Sequence, residues 1–299
     1  MSPNGLPETP EKLLKRLEWH VIRRLDGRMQ GDYRTFLHGQ GIDVADLREY
    51  EHGDDVRHID WNVSARMDSP YVRTYLEDRE LTAWLLLDRT PSMTFGLTER
   101  PKNAVLAELA SALARLLSRS GNRVGALLLN GDAVATIPPR TGRNHVLRIS
   151  QHVMKPVEST QSSTDLSMFL AVANRTITRR SLVIIVSDFI SEPGWERELS
   201  ALTQRHEVVA IHLCDPRESE IPDAGLIVIE DSETGELLSV DTSDPEFRMR
   251  FREAAERSRA ELVAATRQAR VDLHPVSTED DLVEALVRIV DRRRRRRLR

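Results

Sequence analysis

Three short segments of this 299-residue chain are predominantly apolar and lead into an aspartate. They read AWLLLD at 83–88, SLVIIVSDF at 181–189 and VVAIHLCD at 208–215. A strand that is apolar on both faces is typical of a parallel sheet that helices cover on both sides. Amphipathic helical patterns separate the three segments, which is the alternation expected of an α/β fold. The sequence therefore predicts a mostly parallel sheet, covered by helices on both faces, with strands 83–88, 181–187 and 208–214 at its centre.

Hydrophobic periodicity and turn residues predict the remaining elements. An N-terminal helix over 11–25 has its aliphatic residues on one face, at Leu13, Leu14, Leu17, Val21, Ile22 and Leu25. Hairpins are predicted at 123–137, around Asn130-Gly131, and at 225–241. Further helices are predicted over 102–120, 143–154, 165–177, 195–205, 244–269 and 280–293, with a last strand at 271–277.

Changes in composition divide the chain into segments. A tail and helix occupy 1–38, and a small lobe at 39–79 is rich in charge but has too few aliphatic residues for a core of its own. We expect this lobe to pack on the main domain, which spans 80–291. The basic tail RRRRRRLR at 292–299 is expected to be solvated and disordered, although it can contact an anionic surface such as a membrane.

The composition argues against several classes of protein. The chain is 40% hydrophobic and 30% charged with a net charge of -4, so it has no overall basic field for nucleic acid. Its one cysteine, Cys214, cannot form an internal disulfide, which fits a reducing compartment. The N-terminus, MSPNGLPETPEKLLKR, has no apolar run, and no stretch approaches the length of a membrane span. These features predict a cytoplasmic protein without specific nucleic-acid binding.

Oxygen-bearing side chains stand where the predicted strands end. The first core strand leads into LLLDRTPSM, which provides Asp88, Thr90 and Ser92. Thr164 stands just before a predicted helix, and Asp188 closes the second core strand. Parallel strands end at a shared edge of the sheet, so we expect these residues to lie close together. Hard oxygen donors suit Mg²⁺, or alternatively Mn²⁺ or Ca²⁺.

The charge of this donor set indicates how such a site would behave. Only Asp88 and Asp188 are carboxylates, and the other donors are neutral hydroxyls. A divalent cation held there would be incompletely neutralised and would keep an open position for an external carboxylate. A site with so little charge binds weakly, so an empty site is also compatible with the pattern.

The D-x-T-x-S pattern, a later threonine and an aspartate closing a later strand resemble the metal-ion-dependent adhesion site of von Willebrand factor A domains. That family has D-x-S-x-S, so Thr90 is a departure that keeps the hydroxyl. The upstream segment LREYEHGDDVRHIDWNVSARMDSPYVRTYLEDREL resembles the MoxR-associated bacterial family known as domain of unknown function 58. The resemblance covers residues 39–290 and implies a von Willebrand factor A-like sheet with a small additional lobe.

The same resemblance implies a protein that works beside a MoxR-type AAA+ ATPase, as an adaptor or co-chaperone. A glutamate or aspartate from that ATPase or from its client would then complete the shell of the cation. The expected function is a non-enzymatic, metal-assisted module for protein–protein interaction.

Two other interpretations of the DRTPSMT segment stay open. Asp, Thr and Ser at a strand end also form turns and helix caps without any metal. The segment further resembles D-K-T-G-T of haloacid-dehalogenase-like phosphatases, in which Asp88 would attack phosphorus with Mg²⁺ beside Asp188. That chemistry needs a lysine between the threonine and the second acidic segment. Between Thr164 and Asp188 the basic residues are all arginines, at Arg175, Arg179 and Arg180. The phosphohydrolase is therefore the alternative.

A mixed-charge patch surrounds a tryptophan in the small lobe. The candidates for partner binding there are Asp54, Asp55, Arg57, Trp61, Arg66 and Arg73. Neighbouring charges of opposite sign tend to satisfy one another. An internal salt-bridge network that ties the lobe to the main sheet is therefore favoured over a partner surface.

Overall fold

The computed structural model describes residues 8–25, 46–51, 54, 56, 59–67, 69–74, 81–94, 100–156, 165–230 and 237–297. The helices described are α1 (Pro10–Leu17), α2 (Trp61–Met67), α3 (Lys102–Arg119), α4 (Arg143–Met154), α5 (Leu166–Thr176), α6 (Trp195–Arg205), α7 (Pro245–Gln268) and α8 (Leu282–Arg297). The strands described are β1 (Asp46–Glu49), β2 (Tyr71–Thr74), β3 (Thr82–Asp88), β4 (Arg123–Asn130), β5 (Ala133–Arg140), β6 (Leu182–Ser187), β7 (Glu207–Cys214), β8 (Leu226–Glu230), β9 (Leu237–Asp241) and β10 (Asp272–Ser277).

The central sheet has six strands in the order β10, β7, β6, β3, β4 and β5. Neighbouring strands are parallel except for β4 and β5, which form the predicted hairpin at one edge. The three predicted core strands are β3, β6 and β7, and they lie side by side in the middle. The second predicted hairpin forms a separate ribbon of β8 and β9. The prediction of a mostly parallel α/β sheet is confirmed.

Helices cover both faces of this sheet, as predicted. Successive residues of a strand point to opposite faces. Leu85 and Leu87 lie in one buried cluster with α1, α3, α4 and α8. Trp84 and Leu86 lie in a second cluster with α5, α6 and α7. Because both faces of β3 are buried, its sequence is apolar throughout.

The N-terminal helix is part of the main core. A π-helical turn, Glu18–Ile22, prolongs α1, and the six aliphatic residues predicted for its inner face are all buried. Ion pairs also join it to α3, since Arg16 contacts Glu108 at 2.8 Å and Arg115 contacts Glu18 at 2.6 Å. The helix therefore shares the hydrophobic core of the main domain and does not precede it as a separate element.

The C-terminal helix extends further than predicted. α8 continues to Arg297, beyond the predicted end at 293 and through most of the arginine run. The prediction of a disordered tail over 292–299 is therefore wrong for the part that the structure describes. The buried inner face of α8 nucleates the helix, and arginine is a good helix former. Cationic side chains are also favourable at the negative end of a helix.

Leu17→Ala is expected to lower the free energy of unfolding by roughly 2–4 kcal/mol, because a large side chain would leave a cavity in the core. The Leu17 side chain is 2% exposed. Urea unfolding measures the change. Lys15→Ala is the control, because Lys15 is exposed on the same helix. Equal effects of the two substitutions would contradict the assignment of α1 to the core.

Candidate functional site

The order of the strands creates a switch point beside β3. After β3 the chain forms β4 on one side, and β6 later pairs with the other side of β3. In open α/β sheets, ligands bind at such points, beyond the carboxyl ends of the strands. Asp88 ends β3, and Asp188 directly follows β6. The structure therefore brings the two predicted carboxylates to neighbouring positions at the carboxyl ends of β3 and β6. We call this edge of the sheet, around Asp88 and Asp188, the rim.

Asp88 organises the turn that follows β3. It is fully buried, and its Oδ1 accepts the N–H of Thr90 at 3.0 Å and the Thr90 hydroxyl at 2.7 Å. Thr90 Oγ1 lies 3.1 Å from Ser92 Oγ, and the chain continues as a 3-10 turn over Pro91–Thr94. The three predicted oxygen donors are therefore assembled in one place. The same hydrogen bonds also satisfy the interpretation of this segment as an Asx-type turn.

Ser187 is a further member of the site that sequence reasoning did not single out. Its hydroxyl donates to Oδ2 of Asp88 at 2.6 Å and accepts the N–H of Phe189 at 2.8 Å. Ser187 thus connects the ends of β3 and β6. With Thr90 on Oδ1 and Ser187 on Oδ2, both carboxylate oxygens of Asp88 already accept hydrogen bonds.

Strained backbone follows Asp188. Phe189 has φ of 57°, a left-handed conformation that is unusual for a residue other than glycine. The Phe189 ring packs 5.6 Å from the Trp195 ring and 6.3 Å from that of His212. Asp188 Oδ1 accepts the N–H of Ile190 at 3.1 Å. Such strain persists where the surroundings hold the residue in place. Whereas Oδ1 of Asp188 accepts a backbone hydrogen bond, Oδ2 has a different partner.

That partner is Lys102, at the first position of α3. The Lys102 side chain is 0% exposed, and its Nζ lies 2.8 Å from Oδ2 of Asp188. A second ion pair joins Lys102 to Glu218, whose Oε2 accepts the N–H of Asp215 at 3.0 Å. The requirement for a lysine between Thr164 and Asp188 overlooked Lys102, which lies upstream. The available signal was a lone lysine entering an apolar helix just after the Asp88 segment.

Burial and like charge dominate the electrostatics of the rim. Burial, together with the negative charge of Asp188, raises the pKa of Asp88 to about 6, although hydrogen bonds from Ser187 and Thr90 oppose the shift. Burial acts to lower the pKa of Lys102, but the Asp188 and Glu218 carboxylates outweigh it and raise that pKa overall. Ionised Asp88 is therefore poorly compensated, whereas Asp188 already has an ammonium partner.

His212 lies close enough to Asp188 and Lys102 to feel both charges. Burial lowers the pKa of His212 to about 4, although the Asp188 carboxylate opposes this shift. The imidazole is therefore neutral near pH 7 and adds no positive charge to the rim.

The donors on the rim fit a hard divalent cation in chemical type. Asp88, Asp188 and two hydroxyls are oxygen ligands, as Mg²⁺ and Ca²⁺ prefer. Asp88, Asp188 and Glu218 together carry three negative charges when ionised. The Lys102 ammonium offsets one of them, which leaves two. Within the described ranges, no group of three or more His, Cys, Asp or Glu side chains is placed to hold a metal. Hydroxyls would therefore have to supply much of the shell. Thr164 lies outside the described residues.

The candidate partner-binding residues of the lobe are described in part. Trp61 is 69% exposed at the start of α2, and Arg66 is exposed near its end. Asp54 Oδ2 accepts the N–H of Glu51 at 2.9 Å. Asp55, Arg57 and the side chain of Arg73 lie outside what the structure describes. Partner binding by these residues stays a prediction.

Asp88→Asn is expected to stabilise the protein at about pH 7 in the absence of divalent cations, by roughly 1–3 kcal/mol. The folded-state pKa of Asp88 is about 6, above its ordinary value of 3.8. Its contribution to stability is therefore fully present below about pH 4 and is lost as the pH rises through 6. The advantage of the Asn variant should accordingly shrink as the pH falls from 7 to 4, which urea unfolding in chelator measures.

The control is Asp241→Asn. Asp241 Oδ1 accepts the N–H and the hydroxyl of Ser243 at 2.9 and 2.6 Å, which is the local pattern of Asp88 and Thr90 on an exposed carboxylate. These hydrogen bonds lower the pKa of Asp241, so its replacement should not stabilise the protein. An Asp88→Asn protein less stable than wild type near pH 7 would contradict the repulsion described above.

Two solved structures that are similar to this chain are distant from it in sequence. The aerotolerance-related membrane protein of Bacteroides fragilis is 13% identical, with a TM-score of 0.49 over 71% of this chain and 99% of that one. The SpRpn10 VWA domain is 11% identical, with a TM-score of 0.39 over 69% of this chain and 93% of that one. In this chain, none of the helices within the described ranges has the length and hydrophobicity needed to cross a membrane.

Sequence relatives are much more similar. The proteins named "Uncharacterized protein Mb1516" of Mycobacterium bovis and "Uncharacterized protein Rv1480" of Mycobacterium tuberculosis are each 38% identical over 288 residues. The alignments span 94% of this chain and 89% of each relative. The family model "Protein of unknown function DUF58" matches residues 46–261, a range that includes Asp88, Lys102 and Asp188. The chain therefore belongs to the DUF58 family.

Proposed function

We propose that the rim around Asp88 is a cation-assisted docking site for a carboxylate of a partner protein. The observation that supports this most directly is the placement of two buried carboxylates, Asp88 and Asp188, at the ends of adjacent parallel strands. Burial, and after it the repulsion from Asp188, raises the pKa of Asp88 to about 6. A positive charge added beside Asp88 would relieve this repulsion.

The residues of the rim have distinct roles in this proposal. Asp88, Thr90 and Ser92 would hold the cation, with Thr164 as a further donor. Asp188 would act through a water molecule, because the Lys102 ammonium already offsets its charge, whereas Asp88 accepts hydrogen bonds from neutral donors. The cation, Mg²⁺ or alternatively Mn²⁺ or Ca²⁺, would supply an electrophilic position for the incoming carboxylate. The Ser187 hydrogen bond would keep the Asp88 carboxylate in one orientation.

The proposed partner is a MoxR-type AAA+ ATPase or a client of that ATPase, in the cytoplasm. This part of the proposal rests on the family resemblance of the segment upstream of β3. An adaptor or co-chaperone needs a site that binds and releases a partner. A weakly charged rim with few carboxylates suits reversible binding better than a closed metal cage does.

Asp88→Ala is expected to abolish binding of Mg²⁺ or Mn²⁺, and Ser92→Ala is expected to weaken it, because each substitution removes an oxygen donor. Calorimetric titration measures both effects. Asp241→Ala is the matched control, since it removes a similar local turn at an exposed position. Circular dichroism establishes that each variant is folded. Equal cation binding by wild type and Asp88→Ala would refute the site.

The partner is tested separately. The MoxR-type ATPase of the source cell, co-expressed with this chain, is expected to co-purify in Mg²⁺ and to be lost in chelator. Asp88→Ala should prevent co-purification, whereas Asp241→Ala should not. Retention of the ATPase in chelator would refute the role of the cation in docking, even where the cation itself binds.

The position of Lys102 favours the alternative function, a phosphohydrolase with Asp88 as the nucleophile. A lysine does lie on this rim, although it comes from α3 and contacts Asp188. Against this alternative, Asp88 is fully buried, which obstructs the approach of a bulky phosphate ester more than that of a single cation. We expect no hydrolysis of p-nitrophenyl phosphate in Mg²⁺ beyond that of Asp88→Ala. Turnover that requires both Asp88 and Lys102 would establish the enzyme instead.

A further inference from the structure

Lys102 is an unusual lysine in this chain. The other lysines, Lys12, Lys15 and Lys155, are exposed, and arginine provides the rest of the basic side chains. Lys102 alone among them is fully buried, with Asp188 2.8 Å from its Nζ and Glu218 as its second partner. A compact ammonium reaches two carboxylates in a space where a planar guanidinium requires more room. The position therefore calls for a small cation.

The surroundings of Lys102 would otherwise disfavour a positive charge. Lys102 is the first residue of α3, which has 18 residues, and the N-terminal end of a helix carries partial positive charge. Removing an ammonium from water also has a large cost unless carboxylates compensate it. The ion pairs with Asp188 and Glu218 therefore help to keep the charged side chain in this position.

We propose that the Lys102 ammonium competes with a divalent cation for the negative charge of Asp188. This competition lowers the affinity of the rim for the divalent cation. The proposal rests on the function proposed above, since it concerns the same site. With the ammonium on Asp188, an added cation gains the full attraction of Asp88 only. Without the ammonium, both carboxylates would attract it.

Glu218 provides the Lys102 ammonium with a second carboxylate partner. It lies in the 3-10 turn after β7, where its side chain is 23% exposed and Oε2 is fixed by the N–H of Asp215. Lys102 can therefore keep one carboxylate partner when a cation takes over the charge of Asp188. In Glu218→Gln, the ammonium loses the charge of this second carboxylate and should hold Asp188 more firmly.

The experiment titrates Mn²⁺ into wild type, Lys102→Met and Glu218→Gln by calorimetry, with thermal unfolding in chelator and in Mn²⁺ as a second readout. Lys102→Met keeps an unbranched side chain without charge and is expected to bind Mn²⁺ about tenfold more tightly. It should unfold at a lower temperature than wild type in chelator, and Mn²⁺ should restore more of its stability. Glu218→Gln should bind Mn²⁺ several-fold more weakly. Lys12→Met, an exposed lysine in the first turn of α1, should match wild type.

The outcomes separate this inference from the proposed function. Mn²⁺ binding by wild type with no increase in Lys102→Met overturns the inference and leaves the docking site standing. Binding by Lys102→Met but not by wild type supports the inference and refutes cation binding by the natural protein. The Lys102 ammonium would then occupy the place of the metal in wild type. Absence of binding in both overturns both. If Lys102→Met does not fold, unchanged affinity in Glu218→Gln overturns the inference, and weaker affinity supports it.

Discussion

Two carboxylates buried side by side at the end of a parallel sheet repel each other, and the arrangement of the rim follows from that repulsion. Asp88 receives hydrogen bonds from Thr90 and Ser187, and Asp188 receives an ammonium from Lys102. Hydrogen bonds stabilise a carboxylate without cancelling its charge. The rim is therefore locally satisfied but remains negative, which is the condition under which an additional cation is attracted.

The core of the domain fixes the geometry of this rim. β3 is buried on both faces, so the position of Asp88 at its end is set by packing on two sides. The crossover from β3 returns the chain to one face of the sheet as α3, whose first residue is Lys102. Lys102 thus reaches Asp188 because the helix that carries it is itself held by the core. A site built on strand ends and on a helix start is more rigid than one built on loops alone.

Most of the architecture was predictable because it depends on local periodicity. Fully apolar strands, amphipathic helices and the hairpin at Asn130-Gly131 each leave a pattern within a dozen or so residues. Asp88 and Asp188 were found because they stand at the ends of such strands. The length of α8 was not predicted, because a run of like charges resembles a disordered tail unless the buried helix before it is known.

The partners of Lys102 could not be predicted from pattern. They lie 86 and 116 residues away in sequence, at Asp188 and Glu218, and no local spacing connects them. Ser187 was missed for a related reason. Its hydroxyl matters only once β6 is known to lie beside β3, and a serine at the end of a strand is otherwise unremarkable in sequence. Pairwise contacts of this kind require the strand order.

The place of α1 in the core has a consequence for how this protein is made. Its aliphatic face packs with α3, α4 and α8, and Arg24, just beyond α1, contacts Asp281 at 3.0 Å across 257 residues of sequence. Because α1 leaves the ribosome long before α8, it completes its packing only after α8 has been synthesised. Until then its apolar face lacks part of its natural cover, and this face is the surface on which a nascent chain would depend on protection from aggregation.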